Sequence, residues 1–124
     1  MAGSLEFVKS ASGSTVSSLS VTDCFSADYD IYQVTITTLQ TSTAANIDVR
    51  FIDTGGVVST STYDEAILIL PSNTGFSEIR NTGQTSIGGV SYGGGDVYGA
   101  SINMMVFNPN DSSSYTFLTD QSNA

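Results

Sequence analysis

The chain has 124 residues, no histidine or tryptophan, and 3 basic side chains against 12 acidic ones, which gives a net charge of −9. Because nucleic-acid binding relies on Lys and Arg to displace counterions from phosphates, we expect no nucleic-acid partner. Binding to an anionic membrane is disfavoured for the same reason. Without histidine, the chain cannot build a Ser–His–Asp triad or activate Cys24 through a neighbouring imidazole. The length suits one domain over residues 1–124.

In the first half of the chain, apolar and polar residues alternate with the period of a β-strand. The clearest case is 31–39, where Tyr32, Val34 and Ile36 fall on one face and polar residues lie between them. The sequence Asp-Thr-Gly-Gly at 53–56 predicts a hairpin connection, because glycine tolerates positive φ. The strands predicted in this half are 5–8, 16–21, 31–39 and 46–52.

Two runs in the second half are apolar on both faces. The segment 66–70 (AILIL) predicts a strand covered on both sides and ended by Pro71, with a short helix over 63–70 as the alternative. In the strand predicted at 98–107, Met104 and Met105 fall on opposite faces. Two doubly apolar strands in a small acidic domain indicate self-assembly, because a second layer or a neighbouring subunit must cover them. The other predicted elements are a weak strand at 76–79, a glycine-rich loop at 88–95, a turn at 108–114 and a last strand starting at 115–118.

About eight short strands separated by turn signals, with no convincing long helix, predict an all-β fold. The expected architecture is an antiparallel β-sandwich of jelly-roll type. The sequence stops soon after its last predicted strand. This ending indicates either the N-terminal part of a longer protein or a last strand that pairs with a neighbouring chain.

Motifs that could carry chemistry have a simpler interpretation in each case. The glycines of 88–95 lack the lysine that a phosphate-binding loop needs. Asp23, Asp28 and Asp30 could share Ca²⁺ through their carboxylates, but the EF-hand pattern is absent and a solvated acidic turn is the favoured interpretation. We therefore expect no cofactor and no enzymatic activity.

Three tyrosines in the second half suggest a contact surface. Tyr offers both apolar area and a hydroxyl group, which makes it common at interfaces. Packing in the core or between subunits is the favoured role, and contact with a receptor or a sugar is the alternative. The candidate contact residues are Tyr92, Tyr98, Met104, Met105 and Tyr115.

Several segments of the sequence resemble a group of structural proteins of marine tailed bacteriophages, especially those that infect cyanobacteria. The resemblance implies a β-rich component of a capsid, tail or appendage that is made in the host cytoplasm and assembles into the virion. Its partners would be other copies of itself and other virion proteins, and it supplies no catalytic residues. The segments that carry the resemblance are SLEFVK at 4–9, VSSLSVTDC at 16–24, FSADYDIY at 25–32, DVRFIDTGGVVSTSTY at 48–63 and VFNPNDSSSYTF at 106–117.

The expected function is that of a non-catalytic virion structural protein, as a capsid decoration, tail or fibre component, acting through subunit contacts. The alternative is a receptor- or carbohydrate-binding appendage, in which the glycine-rich loop and the tyrosines meet a host surface glycan. A β-sandwich glycan depolymerase is a third possibility, against which the absence of histidine and the scarcity of basic residues weigh.

Overall fold

The computed structural model describes residues 4–43, 45–70, 75–92 and 100–123. This part of the chain is all-β, as predicted, and contains no helix, so none is long and apolar enough to cross a membrane. Its strands are β1 (Ile31–Leu39), β2 (Ala45–Val49), β3 (Ile52–Asp53), β4 (Gly56–Val57), β5 (Tyr63–Ile69), β6 (Ser77–Gln84), β7 (Ile87–Tyr92), β8 (Ala100–Phe107) and β9 (Phe117–Asn123).

The strands form small sheets. One sheet has three strands in the order β1-β8-β9, and the other three sheets are the strand pairs β2-β7, β3-β4 and β5-β6. All three of these pairs are antiparallel. The two pairs β3-β4 and β5-β6 join strands that are consecutive in the sequence, which is the arrangement of a hairpin.

Strand β1 has the bounds that its alternation predicts. Tyr32 is buried, Val34 and Ile36 are half-buried, and the polar residues between them are exposed. Thr38 has a φ of 57°, which lies in the left-handed region that residues with a Cβ rarely adopt. The alternation breaks at this residue, so that Leu39 is the next half-buried side chain.

The predicted hairpin at 53–56 is confirmed. Ile52 pairs with Val57 and Asp53 with Gly56, leaving Thr54 and Gly55 as the loop. Gly56 has a φ of 109°, and the Gly55 N–H donates to the Asp53 carboxylate at 2.7 Å. A side chain that accepts a hydrogen bond from the backbone two residues later is typical of Asp in turns.

The predicted strand at 46–52 is interrupted. Strand β2 ends at Val49 and β3 begins at Ile52. The reason is local, because the Phe51 N–H donates to the hydroxyl of Tyr63 instead of to a strand partner. As predicted, the alternation persists, and Ile47, Val49 and Phe51 are the half-buried residues.

The strands predicted at 5–8 and 16–21 are wrong, since residues 4–30 contain no strand. Alternation describes which side chains share a face, but a strand also needs a partner for its backbone groups. Here the apolar side chains of both segments remain in solvent. The exposed ones are Leu5, Phe7, Val8, Val16, Leu19 and Val21.

The glycine-rich loop predicted at 88–95 is wrong over its first half, because Ile87–Tyr92 is β7 and pairs with β2. The register shifts between Ile47, which pairs with Val90, and Asp48, which pairs with Gly88. Such an irregularity suits glycine, which weakens a regular strand but fits a bulge. Residues 93–95 lie outside the described part of the chain.

Residues 66–69 of the predicted strand 66–70 belong to β5, which ends at Ile69, so the alternative of a helix over 63–70 is wrong. The single chain leaves Leu68 and Leu70 exposed, so the predicted cover of both faces stays a prediction that requires a neighbouring chain. The weak strand expected at 76–79 is the longer β6. The last strand begins at Phe117, two residues after Tyr115, and extends to Asn123.

The chain divides into two compact units. The first consists of Met1–Gln33 and Met105–Thr119, and the second of Val34–Met104 and Asp120–Ala124. Among the described residues, the buried apolar side chains of the first unit are Tyr32 and Val106. Those of the second unit are Tyr63, Ile102 and Met104. The organisation as one sandwich domain over 1–124 stays a prediction.

Candidate interaction surfaces

The two methionines of β8 occupy opposite faces, as the strand period predicts. Met104 is buried on the face that also carries Ile102 and Val106. Met105 lies on the other face and is half-buried. Met104 therefore packs inside the single chain, and Met105 is the one of the two that a neighbouring protein can reach.

The three candidate tyrosines are described unequally. Tyr115 is 83% exposed and precedes Phe117, which is also exposed. Tyr98 and the side chain of Tyr92 lie outside the described part of the chain. A joint tyrosine surface stays a prediction, and Tyr115 is the described member of it.

Tyr32 shows a role that the sequence indicated only as an inward-facing position. Its hydroxyl accepts a hydrogen bond from the Ser26 N–H at 2.8 Å and donates to the Ser26 carbonyl at 3.1 Å. Phe25 packs edge-on against its ring, with the ring centroids 4.9 Å apart. The phenol thus satisfies both backbone groups of one residue and holds the loop before β1 in place.

Tyr63 plays the same part in the second unit. Its hydroxyl accepts from the Phe51 N–H at 3.0 Å and donates to the Val58 carbonyl at 2.9 Å, and its ring stacks on that of Phe51. One side chain of β5 therefore fixes the chain on both sides of the β3-β4 hairpin. In the sequence, the only signal for this role is a tyrosine at the start of an apolar strand.

The carboxylate of Glu65 connects three strands. One oxygen accepts from the side-chain amide of Asn81 on β6 at 2.6 Å, and the other accepts from the Gly88 N–H on β7 at 2.9 Å. Glu65 is half-buried and has two donors, which is the arrangement that a carboxylate needs when it leaves water. Its two hydrogen bonds join β5 to β6 and β7.

The segment 4–22, here called the N-terminal arm, carries no net charge because Glu6 and Lys9 are its only charged residues. One hydrogen bond lies within the arm, from the Lys9 ammonium to the Thr22 carbonyl at 2.6 Å. A second joins the arm to Tyr29, whose hydroxyl donates to the Glu6 carboxylate. The bond to Glu6 raises the pKa of Tyr29 above its ordinary value.

One face of the β5-β6 pair carries exposed apolar side chains beside charged ones. The register pairs Ala66 with Arg80 and Leu68 with Glu78, and Leu70 and Phe76, directly beyond the ends of the two strands, continue the same alternation. Leu68, Leu70 and Phe76 are 62%, 65% and 78% exposed. We call this surface the hairpin face; it consists of Asp64, Ala66, Leu68, Leu70, Phe76, Glu78 and Arg80.

The acidic residues before β1, Asp23, Asp28 and Asp30, do not gather into a metal-binding cluster. The Asp28 carboxylate accepts from the Ser26 hydroxyl at 3.0 Å, while Asp23 has a φ of 53°. Within the described ranges, no three His, Cys, Asp or Glu side chains gather where they could hold a metal ion.

Asp111 organises the turn between β8 and β9. Its carboxylate accepts from the Ser114 hydroxyl at 2.6 Å, the Ser113 hydroxyl at 2.7 Å and the Ser113 N–H at 2.8 Å. These bonds favour the charged form and lower the pKa of Asp111 to about 2. The turn predicted at 108–114 is thus held by side-chain hydrogen bonds.

Comparisons with known proteins identify no relative of this chain. No protein-family model matches the chain, and no match was found among curated proteins or among solved structures.

Proposed function

We propose that this chain is a non-catalytic structural protein that works inside an assembly, through contacts between its copies and with other proteins of that assembly. The observation that carries the proposal is the hairpin face, where Leu68 on β5 and Leu70 and Phe76, directly beyond the ends of β5 and β6, all lie in solvent. Single exposed apolar residues are ordinary, but a contiguous exposed apolar patch is typical of an interaction site.

The distribution of apolar residues supports the same proposal. Among the described residues, 17 large apolar side chains are exposed and 5 are buried. Burying one such side chain completely is worth about 1.5–3 kcal/mol. A chain that leaves this much apolar surface in water can gain substantial free energy by association, even after the entropic cost of about 4–15 kcal/mol for joining two bodies.

We place this assembly in a bacteriophage virion. This placement is supported by the resemblance of the segments within 4–32, 48–63 and 106–117 to marine phage structural proteins. The side chains of Tyr32, Tyr63, Glu65 and Asp111 each form hydrogen bonds that hold the chain's own backbone or neighbouring side chains in place. Such a role suits a structural protein.

The fold proposed for the assembled state is an antiparallel sandwich of jelly-roll type. The three antiparallel pairs and the buried face of β8 supply elements of such a sandwich. In a sandwich, two sheets pack face to face about 10 Å apart, and an outer face such as the hairpin face would be covered by a neighbouring chain.

Mass spectrometry of purified particles, produced from a phage genome that encodes this chain, tests the proposal. We expect the chain to co-purify with the particles through a density gradient and to occur in an integral number of copies per vertex, ring or fibre. If the chain stays in the soluble fraction of the lysate while intact, infectious particles lack it, the virion proposal is wrong.

The exposure of Tyr115 favours one second candidate, a module that binds a host surface glycan. An exposed aromatic ring can stack on a sugar while its hydroxyl forms a hydrogen bond. A glycan array tests this candidate with the unmodified chain and the Tyr115→Ala variant. Binding that disappears in the variant supports it, and an array without signal from the unmodified chain rejects it.

A further inference from the structure

The N-terminal arm has the alternation of a β-strand but no strand partner. Leu5 and Phe7, which are 86% and 77% exposed, alternate with Glu6 and Val8. Among the described residues, no backbone N–H or carbonyl of 4–22 forms a hydrogen bond with another backbone group. Such a segment can gain both main-chain hydrogen bonds and apolar burial by pairing with the open edge of a sheet.

Strand β9 offers such an edge. Its one neighbour among the described strands is β8, so its other side is open in this part of the chain. Leu118 is half-buried, and Phe117 and Asp120 are exposed. Strand β1, at the other edge of the same sheet, carries no charged residue, whereas Asp120 gives β9 a carboxylate that can pair with Lys9 of the arm.

We propose that residues 5–9 of the arm add as a strand to the open edge of β9 in a second copy. This inference rests on the proposed function and names the contact through which the copies associate. The single chain holds both the arm and the edge, yet it leaves the arm in solvent and ties Glu6 to Tyr29. The edge that the arm can still use is therefore that of another copy.

The distribution of charge supports a second copy as the partner. Residues 4–22 carry no net charge, so the net charge of −9 lies in the rest of the chain. The arm is thus the part of one copy that approaches another acidic copy against the least repulsion. In the contact, Lys9 exchanges the neutral Thr22 carbonyl for a carboxylate, which accepts a stronger hydrogen bond from an ammonium group.

The spacing of two residue pairs sets the direction of the added strand. Phe7 and Lys9 are two residues apart, and so are Leu118 and Asp120. A parallel pairing therefore brings Phe7 beside Leu118 and Lys9 beside Asp120 at the same time. An antiparallel pairing that joins Lys9 to Asp120 places Phe7 beside Ser122 instead. We infer parallel addition, because it matches an apolar residue with an apolar one and a cation with an anion.

The contact joins two different parts of the chain, so the copies associate head to tail. Repetition of such a contact gives a closed ring or an open filament. One contact is weak by itself, because a stable interface uses about 20–30 residues on each side. It gains strength in an assembly, where each further contact forms between tethered partners.

Disulfide trapping tests both the contact and its register. Every variant carries Cys24→Ser, because Cys24 is the only cysteine of the chain. In the parallel register, Val8 of one copy lies beside Thr119 of the other, within the Cα distance of about 4.4–6.8 Å that a disulfide spans. An equimolar mixture of the Val8→Cys and Thr119→Cys variants should therefore form a mixed dimer on oxidation, identified by mass spectrometry of the linked peptides.

Gln121→Cys is the matched control for Thr119→Cys. Gln121 is exposed like Thr119 and lies on the same face of β9, but two residues further along. In the parallel register it lies too far from Val8 for a disulfide, whereas in the antiparallel register it lies beside Val8. We expect Val8→Cys to cross-link to Thr119→Cys at least about tenfold faster than to Gln121→Cys.

Charge exchange separates the paired contact from general repulsion between copies. Lys9→Asp and Asp120→Lys should each weaken self-association about threefold in sedimentation equilibrium, because each places like charges side by side. Asp120→Lys changes the net charge from −9 to −7, so general repulsion alone predicts stronger association for this variant. An equimolar mixture of the two variants, and the double variant, should return to within about twofold of the original affinity.

Four results would overturn the proposed pairing. Cross-linking to Gln121→Cys as fast as to Thr119→Cys rules out the parallel register. A double variant Val8→Cys/Thr119→Cys that forms its disulfide only within one chain shows that the arm pairs with its own edge. If the unmodified chain self-associates but neither mixture cross-links, the arm is not the contact, although the proposed function stands. If the unmodified chain does not self-associate at any concentration, both proposals fail.

Discussion

Tyr63 connects two points of the chain through one hydroxyl group, which accepts from the Phe51 N–H and donates to the Val58 carbonyl. Its ring is buried, and both hydrogen bonds are part-buried. Removing the hydroxyl takes away both bonds, and the loss of a hydrogen bond away from solvent is more costly than the loss of an exposed one.

Tyr63→Phe should therefore lower the free energy of unfolding by about 1–3 kcal/mol. Urea denaturation followed by circular dichroism measures the change. Tyr115→Phe is the matched control, because it removes the same atom from an exposed side chain, and its unfolding midpoint should not move. Equal midpoints for Tyr63→Phe and the unmodified chain would show that the hydroxyl contributes nothing.

Asp111 should make the stability of the protein depend on pH in the acid range. Its pKa is about 2 in the folded chain against an ordinary value of 3.8, so the folded state favours the charged form. The contribution to stability is complete above the ordinary value and is lost as the pH falls through about 2.

The difference in unfolding free energy between the unmodified chain and Asp111→Asn should thus be largest above pH 4 and should shrink towards pH 2. Denaturant titrations at several pH values measure it. A difference that stays constant from pH 5 to pH 2 would mean that the Ser113 and Ser114 hydrogen bonds do not favour the charged carboxylate.

At the scale of elements, strand β6 contains one position, Gly83, whose backbone angle favours glycine. Its φ is 64°, in the left-handed region, and its N–H donates to the Asp64 carboxylate at 2.9 Å on the neighbouring strand. Any other residue must adopt the same backbone angle at a cost of about 1–2 kcal/mol.

Gly83→Ala should destabilise the protein by about 1 kcal/mol. Gly75→Ala is the control, because a Cβ at Gly75 meets no atom within 4 Å and Gly75 is not a positive-φ residue. It should leave stability unchanged or raise it slightly. Thermal unfolding compares the two, and an equal effect of both substitutions would contradict the role given to the Gly83 backbone angle.

Glu65 should control the attachment of β7 to β5. Glu65→Gln keeps the shape of the side chain but leaves one oxygen for the two donors, Asn81 and the Gly88 N–H. We expect the Gly88 amide to exchange its hydrogen at least about tenfold faster in this variant, since a hydrogen bond to a charged group is worth about 1.5–3 kcal/mol. Unchanged exchange would show that Gly88 is protected by another acceptor.

The elements also show how far the sequence alone leads. Strand β1 and the β3-β4 hairpin could be predicted, because alternation and an Asp-Thr-Gly-Gly turn are local signals. The absence of strands at 5–8 and 16–21 could not, because a strand also depends on a distant partner. Strand β7 was not predicted, because its glycines are typical of a loop. In the structure they fit the irregular pairing with β2.

The surfaces were predictable in part for the same reason. The apolar character of 66–70 indicated a need for cover, but only the register with β6 shows which residues share the exposed face. The tyrosine positions gave no sign of which hydroxyls bind the chain's own backbone, since those bonds join segments that the sequence separates.

At the scale of the whole molecule, the high exposure of apolar side chains and the net charge of −9 act against each other. Apolar burial favours association of copies, and the repulsion between like-charged copies opposes it. Salt screens the repulsion over about 10 Å at 0.1 M and leaves apolar burial largely unaffected.

Sedimentation velocity of the purified chain over a wide range of concentrations, at about 0.01 and 0.15 M salt, tests the central claim most directly. The structural role predicts a sedimentation coefficient that rises with concentration, and that rises further at the higher salt concentration. A single 12.9 kDa species at every concentration and at both salt levels would contradict it.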